Sequence, residues 1–242
     1  MRILLLGGTG EARALAARLH PGLDIVSSLA GRVPDPALPV GPVRVGGFGG
    51  VAGLQQWLGD NEIGAVVDAT HPFAATMTAH AAQACAELGV PHLVLSRPAW
   101  DPAGAIRVAS DIEAAHVVAD HHYSRVFLTT GRSGVRPFAS SHAWFLIRVV
   151  TAPDDGVLPR NHTVLLSRGP YGYDDECALL RDNGIDVLVA KNSGGALTEA
   201  KLKAAADLGV AVVMIDRPPL PAGVHAVGTV DEAVDWVARL AT

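Results

Sequence analysis

Residues 2–12 read Arg2-Ile3-Leu4-Leu5-Leu6-Gly7-Gly8-Thr9-Gly10-Glu11-Ala12, an apolar run that stops at glycine and gives way to a different pattern. A short aliphatic run bounded by glycines predicts a buried strand over 2–6. Beyond it Ala12, Leu15, Ala16 and Leu19 fall on one stripe, which predicts a helix over Glu11–His20. The turn Gly7–Gly10 between them suits a phosphate. Glycines let the backbone come close to a pyrophosphate, and the free N–H groups of the helix start hold its charge. The full G-x-G-x-x-G fingerprint is absent, since Gly7 and Gly10 are three apart and Arg13 stands where the last glycine would be. No Lys-Ser or Lys-Thr follows the glycines, so the Walker pattern is absent too.

Working outward, short apolar runs recur at 23–28, 42–45, 64–68 and 91–95, with helical patterns over Val51–Asn61 and Phe73–Leu88 between them. Arg97-Pro98-Ala99-Trp100-Asp101-Pro102-Ala103-Gly104 then breaks the rhythm and reads as an interdomain linker. The alternation resumes with runs at 125–129, 143–149, 163–167, 185–190 and 210–215, and helical patterns over Asp174–Asn183, Ala196–Leu208 and Asp231–Leu240. Near-continuous apolar strands joined by helices predict parallel sheets covered on both faces. The expected fold is α/β: two Rossmann-like parallel-sheet domains with the active cleft between them. The expected boundaries are 1–96 for a nucleotide-binding domain, 97–104 for the linker and 105–242 for a substrate-binding domain, whose last helix could return to the first. No repeat between the halves is evident in the sequence.

Of the 242 residues, 49% are hydrophobic and 18% charged, which excludes intrinsic disorder. A net charge of −5 argues against a phosphate-backbone binder, so no nucleic-acid partner is expected. Cys85 and Cys177 are too few for a disulfide framework and too isolated for a zinc site, so no metal is expected. The apolar start is too short for a signal peptide, and no later run approaches the ~18 residues of a membrane span. A cytoplasmic monomer is the expectation.

Nearly every strand runs into a polar or glycine-rich tag, and in open α/β sheets ligands lie beyond the carboxyl ends of the strands. The second strand ends in Ser27-Ser28-Leu29-Ala30-Gly31-Arg32, with hydroxyls and an arginine where an NAD enzyme usually carries a carboxylate. An arginine beside serine hydroxyls suits a 2′-phosphate, so NADPH is expected over NADH.

Together these segments resemble a known family. Gly7-Gly8-Thr9-x-Glu11-Ala12, Ser28-Leu29-Ala30-Gly31-Arg32, Gly46-Gly47-Phe48-Gly49-Gly50 and Asp68-Ala69-Thr70-His71-Pro72-Phe73-Ala74 are similar to the precorrin-6A reductase family of cobalamin biosynthesis. The likeness continues through Arg97-Pro98-Ala99-Trp100, Gly169-Pro170-Tyr171 with Glu176, Lys191-Asn192-Ser193-Gly194-Gly195 and Arg217-Pro218-Pro219. The resemblance implies that NADPH delivers hydride to one C=C bond of the precorrin-6A macrocycle, yielding precorrin-6B. Relatives in the anaerobic route reduce the cobalt-bearing analogue. A non-catalytic dinucleotide-binding sensor is the reading from a different class.

On that footing the cofactor-binding set is Gly7, Gly8, Thr9, Gly10, Glu11, Ala12, Ser28, Gly31, Arg32, Gly47 and Thr70. The tetrapyrrole is a polycarboxylate, so its site should offer cations and backbone donors. Arg97, Arg132, Arg168 and Lys191, with Tyr171, Ser193 and Gly194, are the substrate-binding candidates. His71 could donate a proton to the carbon beside the hydride acceptor. Equally, His71 and Thr70 could cap the following helix or line the nicotinamide pocket, and Asp68 could orient His71 or bind the cofactor. His121-His122 lacks a third ligand at metal spacing. Ser133 misses the G-x-S-x-G nucleophile elbow by one position.

Overall fold

The computed structural model describes residues 1–20, 22–31 and 36–240. The first stretch of chain builds β1 (Arg2–Leu6), α1 (Gly10–Leu19), β2 (Asp24–Leu29), β3 (Val43–Val45), α2 (Val51–Asp60), β4 (Ile63–Asp68), α3 (Ala75–Leu88) and β5 (His92–Leu95). The middle builds β6 (Ile106–Val108), α4 (Asp111–Asp120), β7 (Arg125–Leu128), β8 (Trp144–Val149), β9 (Asn161–Leu166), α5 (Tyr173–Asp182), β10 (Val187–Lys191), α6 (Ala200–Leu208) and β11 (Ala211–Ile215). The end adds β12 (His225–Val227) and α7 (Val230–Leu240).

All strands pair in parallel, in two six-stranded sheets of order β3-β2-β1-β4-β5-β12 and β9-β8-β7-β10-β11-β6. Each is the doubly wound order, with its switch point between β1 and β4 or between β7 and β10. Five strands of each sheet repeat one order that the sequence pattern does not advertise, while the sixth comes last in the chain in the first sheet (β12) and first in its unit in the second (β6).

β1 shows why a continuous apolar run is needed in the middle of such a sheet. Successive side chains point to opposite faces. Ile3 and Leu5 pack with Leu15, Ala16 and Val237 on one side, while Leu4 and Leu6 pack with Leu54, Leu58 and Ala81 on the other. Each such burial contributes about 1.5–3 kcal/mol. In the second unit Phe127, Leu188, Leu180 and Ala204 make the corresponding cluster.

The chain divides into residues 1–98 with 218–242, and residues 99–217. The expected second domain, 105–242, therefore ends at Arg217. β12 pairs with β5, and Ala233, Trp236 and Val237 of α7 pack into the core with β1 and α1. The expected linker 97–104 is not a free tether either. Trp100 is buried, its N–H donates to Asn192 Oδ1 (2.8 Å), and its indole donates to the Gly195 carbonyl (3.0 Å). Both passages from one unit to the other occur at an Arg-Pro pair, Arg97-Pro98 after β5 and Arg217-Pro218 after β11.

The sequence reading missed β6, α4 and β12. The strands have only three residues each, below the length at which periodicity speaks. A capping box nevertheless marks α4: Ser110 Oγ accepts from the Glu113 N–H (3.1 Å) while Glu113 accepts from the Ala109 N–H (2.9 Å). Thr229 and Glu232 repeat the arrangement at α7. The predicted helix over Ala196–Leu208 is split, with a 3-10 turn at Ala196–Thr198 before α6.

Candidate active site

In the first unit the glycine turn sits at the switch point. Gly7 N–H donates to the Ser28 carbonyl (2.9 Å), which joins the ends of β1 and β2. Gly8 has φ +112°, a conformation that favours glycine, and no heavy atom lies within 4 Å of where its β-carbon would be. Thr9 is the N-cap of α1: its Oγ accepts from the Ala12 N–H (3.1 Å) and donates to the Ala69 carbonyl (2.8 Å). The one hydrogen of that hydroxyl is spent on Ala69, so the side chain has none to donate to a ligand oxygen. Open space over Gly8 and the uncapped N–H groups of Gly10 and Glu11 form a cradle that fits a pyrophosphate.

Glu11 lies in the first turn of α1, where its charge would oppose an anion. Arg97 answers it: Nη1 is 2.7 Å from Glu11 Oε2. Arg97 thus belongs to the first unit and is paired with the first turn of α1.

Asp68 ends β4 with a carboxylate that is 1% exposed. Its Oδ1 accepts from the Thr70 N–H (3.0 Å) and Thr70 Oγ (2.6 Å), and its Oδ2 accepts from Thr78 Oγ (2.6 Å). Asp68 therefore holds Thr70 and the start of α3. With both oxygens engaged by Thr70 and Thr78, its described contacts are those of a positioning residue. His71 is exposed, and its Nδ1 accepts from the Phe73 N–H (3.3 Å). Neutral His71 consequently carries its proton on Nε2. Neither His71 nor Thr70 caps α3, whose N-cap is Ala74 without a side-chain bond.

Arg32 lies outside the described residues. Gly31 takes φ +71°, and a β-carbon there would meet Val45 Cγ1 at 3.1 Å. Among the described residues a cation that meets Ser28 is Arg44, which the sequence reading passed over. Its Nη1 donates to Ser28 Oγ (3.1 Å) and the Gly46 carbonyl (2.6 Å), and its Nη2 donates to the Gly47 carbonyl (2.7 Å).

In the second unit the candidates follow the carboxyl ends of the corresponding strands. Arg132 opens a 3-10 turn after β7, Arg168 and Tyr171 follow β9, and Lys191 ends β10; Arg132 and Arg168 are exposed. Lys191 Nζ is 3.3 Å from Asp111 Oδ2. Thr130 Oγ1 and Asp111 Oδ1 are buried with no hydrogen-bond partner among the described residues. Both lie within 2.5 Å of where a Gly134 β-carbon would stand, so only glycine fits there. The turn after Lys191 is held by Arg217, whose Nε donates to the Asn192 carbonyl (2.7 Å) and Nη2 to the Ser193 carbonyl (3.0 Å). Gly194 and Gly195 take φ +65° and +80°.

Beneath Tyr171 lies a buried charge cluster that the sequence reading did not single out. Arg148 is stacked 3.7 Å from the Tyr171 ring centroid and makes a two-point ion pair with Glu176, Nη2 to Oε2 at 3.1 Å. Lys201 is also buried. Its Nζ donates to the Thr198 carbonyl (2.5 Å) and lies 4.7 Å from the Trp100 ring centroid. Burial, reinforced by Arg148 and opposed by Glu176, pushes its pKa down to about 7.

Two sheets in Rossmann order, the first with a glycine turn at its switch point, define a double Rossmann-like α/β protein. The model of the precorrin-6x reductase CbiJ/CobK family matches residues 2–238, and the chain belongs to that family. It is 70% identical over 239 residues to the precorrin-6A reductase of Mycobacterium tuberculosis, covering 99% of this chain and 98% of that one. It is 53% identical over 248 residues to the Rhodococcus erythropolis protein of the same name, covering 99% and 98%. A solved structure titled CobK precorrin-6A reductase superposes with a TM-score of 0.90 at 40% identity, covering 99% of this chain and 97% of that one. Among the described residues no helix is long and apolar enough to cross a membrane, and no cluster of side chains could hold a metal ion.

Proposed function

We propose that the protein is a precorrin-6A reductase that uses NADPH to reduce one C=C bond of the macrocycle, giving precorrin-6B in cobalamin biosynthesis. The identity of 70% along essentially the whole of both chains is the observation that carries this reading. Both curated relatives and the solved structure bear the name of the metal-free substrate, which supports precorrin-6A over its cobalt analogue.

NADPH, when bound, supplies the hydride. The backbone of Gly7 and Gly8 and the first N–H groups of α1 hold its pyrophosphate. Thr70, fixed by Asp68, turns its oxygen lone pairs outward as acceptors. His71 in its imidazolium form, which gives up the Phe73 N–H contact at Nδ1, would deliver its Nε2 proton to the carbon next to the one that receives hydride and be left as neutral imidazole, so the product gains two hydrogens across the former double bond. Arg132, Arg168 and Lys191, with the backbone of Ser193 and Gly194, bind the carboxylates of the tetrapyrrole. Tyr171, held by the Arg148 guanidinium, adds an aromatic ring to that site.

The test is an anaerobic incubation of purified protein with precorrin-6A and NADPH, following nicotinamide absorbance and the macrocycle spectrum together. One NADPH oxidised per macrocycle reduced is the expected result. Nucleotide binding without oxidation would leave a sensor instead.

A further inference from the structure

We infer that Arg44 is the residue that recognises the 2′-phosphate of the cofactor, so that β3 sets nucleotide specificity in this fold; this rests on the NADPH reading above. Three observations converge on it. β3 pairs with β2 in parallel register, with Arg44 directly opposite Ser28. In doubly wound sheets the end of the second strand, about twenty residues beyond the glycine turn, is where the adenosine ribose is read. Here that end carries Ser27 and Ser28 and no carboxylate, so nothing there favours a free 2′-hydroxyl.

The guanidinium is already set in place. It stacks 3.7 Å from the Phe48 ring centroid, with Trp57 beyond at 5.6 Å. Its Nη1 is spent on Ser28 and Gly46 and one Nη2 hydrogen on Gly47. Among the described residues the Nε–H and the other Nη2 hydrogen have no acceptor, and such a pair of parallel donors matches two oxygens of a phosphate. Three fixed bonds and one stacked face mean that little side-chain entropy is lost on binding. Partial burial lowers the guanidinium pKa, a cost that a dianion alongside would offset.

Arg44 also ties down the Gly46–Gly47 turn, and a purely structural role would weaken every nucleotide alike. Calorimetry with 2′,5′-ADP and 5′-AMP as probes separates the two roles without catalysis. Wild-type protein is expected to bind 2′,5′-ADP at least tenfold more tightly than 5′-AMP. In Arg44→Met, affinity for 2′,5′-ADP should fall at least tenfold and that for 5′-AMP stay within twofold. Arg44→Lys, which keeps the charge but loses the fork, should fall between, and it serves if the methionine variant does not fold. Equal losses for both probes, or an undiminished preference in both variants, would overturn the assignment of Arg44 while leaving NADPH in place. A wild-type protein that does not distinguish the probes would overturn the NADPH reading itself.

Discussion

Lys191 Nζ and Asp111 Oδ2 lie 3.3 Å apart, tying the last residue of β10 to the first turn of α4. As one of the substrate-binding candidates of the sequence, Lys191 would on removal cost activity while sparing the fold. The pairing changes that expectation, because Lys191→Met strands a carboxylate whose Oδ1 already lacks a partner. Stability should fall by about 1–3 kcal/mol. The double variant Lys191→Met/Asp111→Asn should recover most of that loss in urea unfolding. If Lys191 also binds substrate carboxylate, turnover at saturating NADPH should stay at least tenfold down in both, about 1.4 kcal/mol. Full recovery of turnover in the double variant would confine Lys191 to a structural role.

Thr9 carries two bonds that close the nucleotide cradle from inside, one to its own helix and one to Ala69, just beyond β4. Thr9→Val should lose both and destabilise the protein by roughly 1–3 kcal/mol in urea unfolding. Thr9→Ser should stay close to wild type. A valine variant as stable as the parent would show that the cap contributes nothing.

How much of this was legible in the sequence depends on side-chain pattern length. The long apolar strands and the glycine turn could be read directly, because Ile3 to Leu6 must fill both faces of a central strand. Three residues give no period: β3 could be read only from its place in the alternation, whereas β6 and β12 flank the passages between the units, where membership in a sheet is decided by where the chain crosses back. The expected return of the last helix to the first domain is seen in α7, and β12 returns with it, so that Pro218–Thr242 belongs to the first unit. At the site, positions at strand ends were found by their tags. Asp68 looked catalytic because a carboxylate beside a histidine suggests a relay, whereas Thr78, ten residues on, takes one of its oxygens. Arg44 was missed because an arginine on a short edge strand reads as surface charge until its register with Ser28 is known.

Lys201 predicts a pH dependence. Its folded pKa, about 7, lies below its ordinary 10.5, so between those values the unfolded chain binds more protons and stability rises with pH. Below about pH 7 both states are protonated, and the whole penalty of burying the ammonium applies. Lys201→Met should therefore be more stable than wild type at pH 6, with the advantage shrinking by up to about 1.4 kcal/mol per pH unit between 7 and 10. Parallel stability curves for the two proteins would mean that Lys201 is not desolvated as the buried cluster requires.

Cys85 is buried on α3, and desolvation with the nearby Asp68 charge pushes its thiol up to about 12. At pH 8 the native protein should resist alkylation there for hours and react promptly once unfolded in urea. Rapid native labelling at Cys85, located by mass spectrometry, would show that α3 opens far more readily than its packing allows.

The central claim is that this chain transfers hydride from NADPH to the precorrin-6A macrocycle. NADPH deuterated at C4, supplied in turn as each stereoisomer, tests it directly by mass spectrometry of the product. A single deuterium should appear on the macrocycle from one stereoisomer and none from the other, while solvent supplies the second hydrogen. A product without deuterium from either, or a nucleotide that binds and leaves the macrocycle unchanged, would contradict the account.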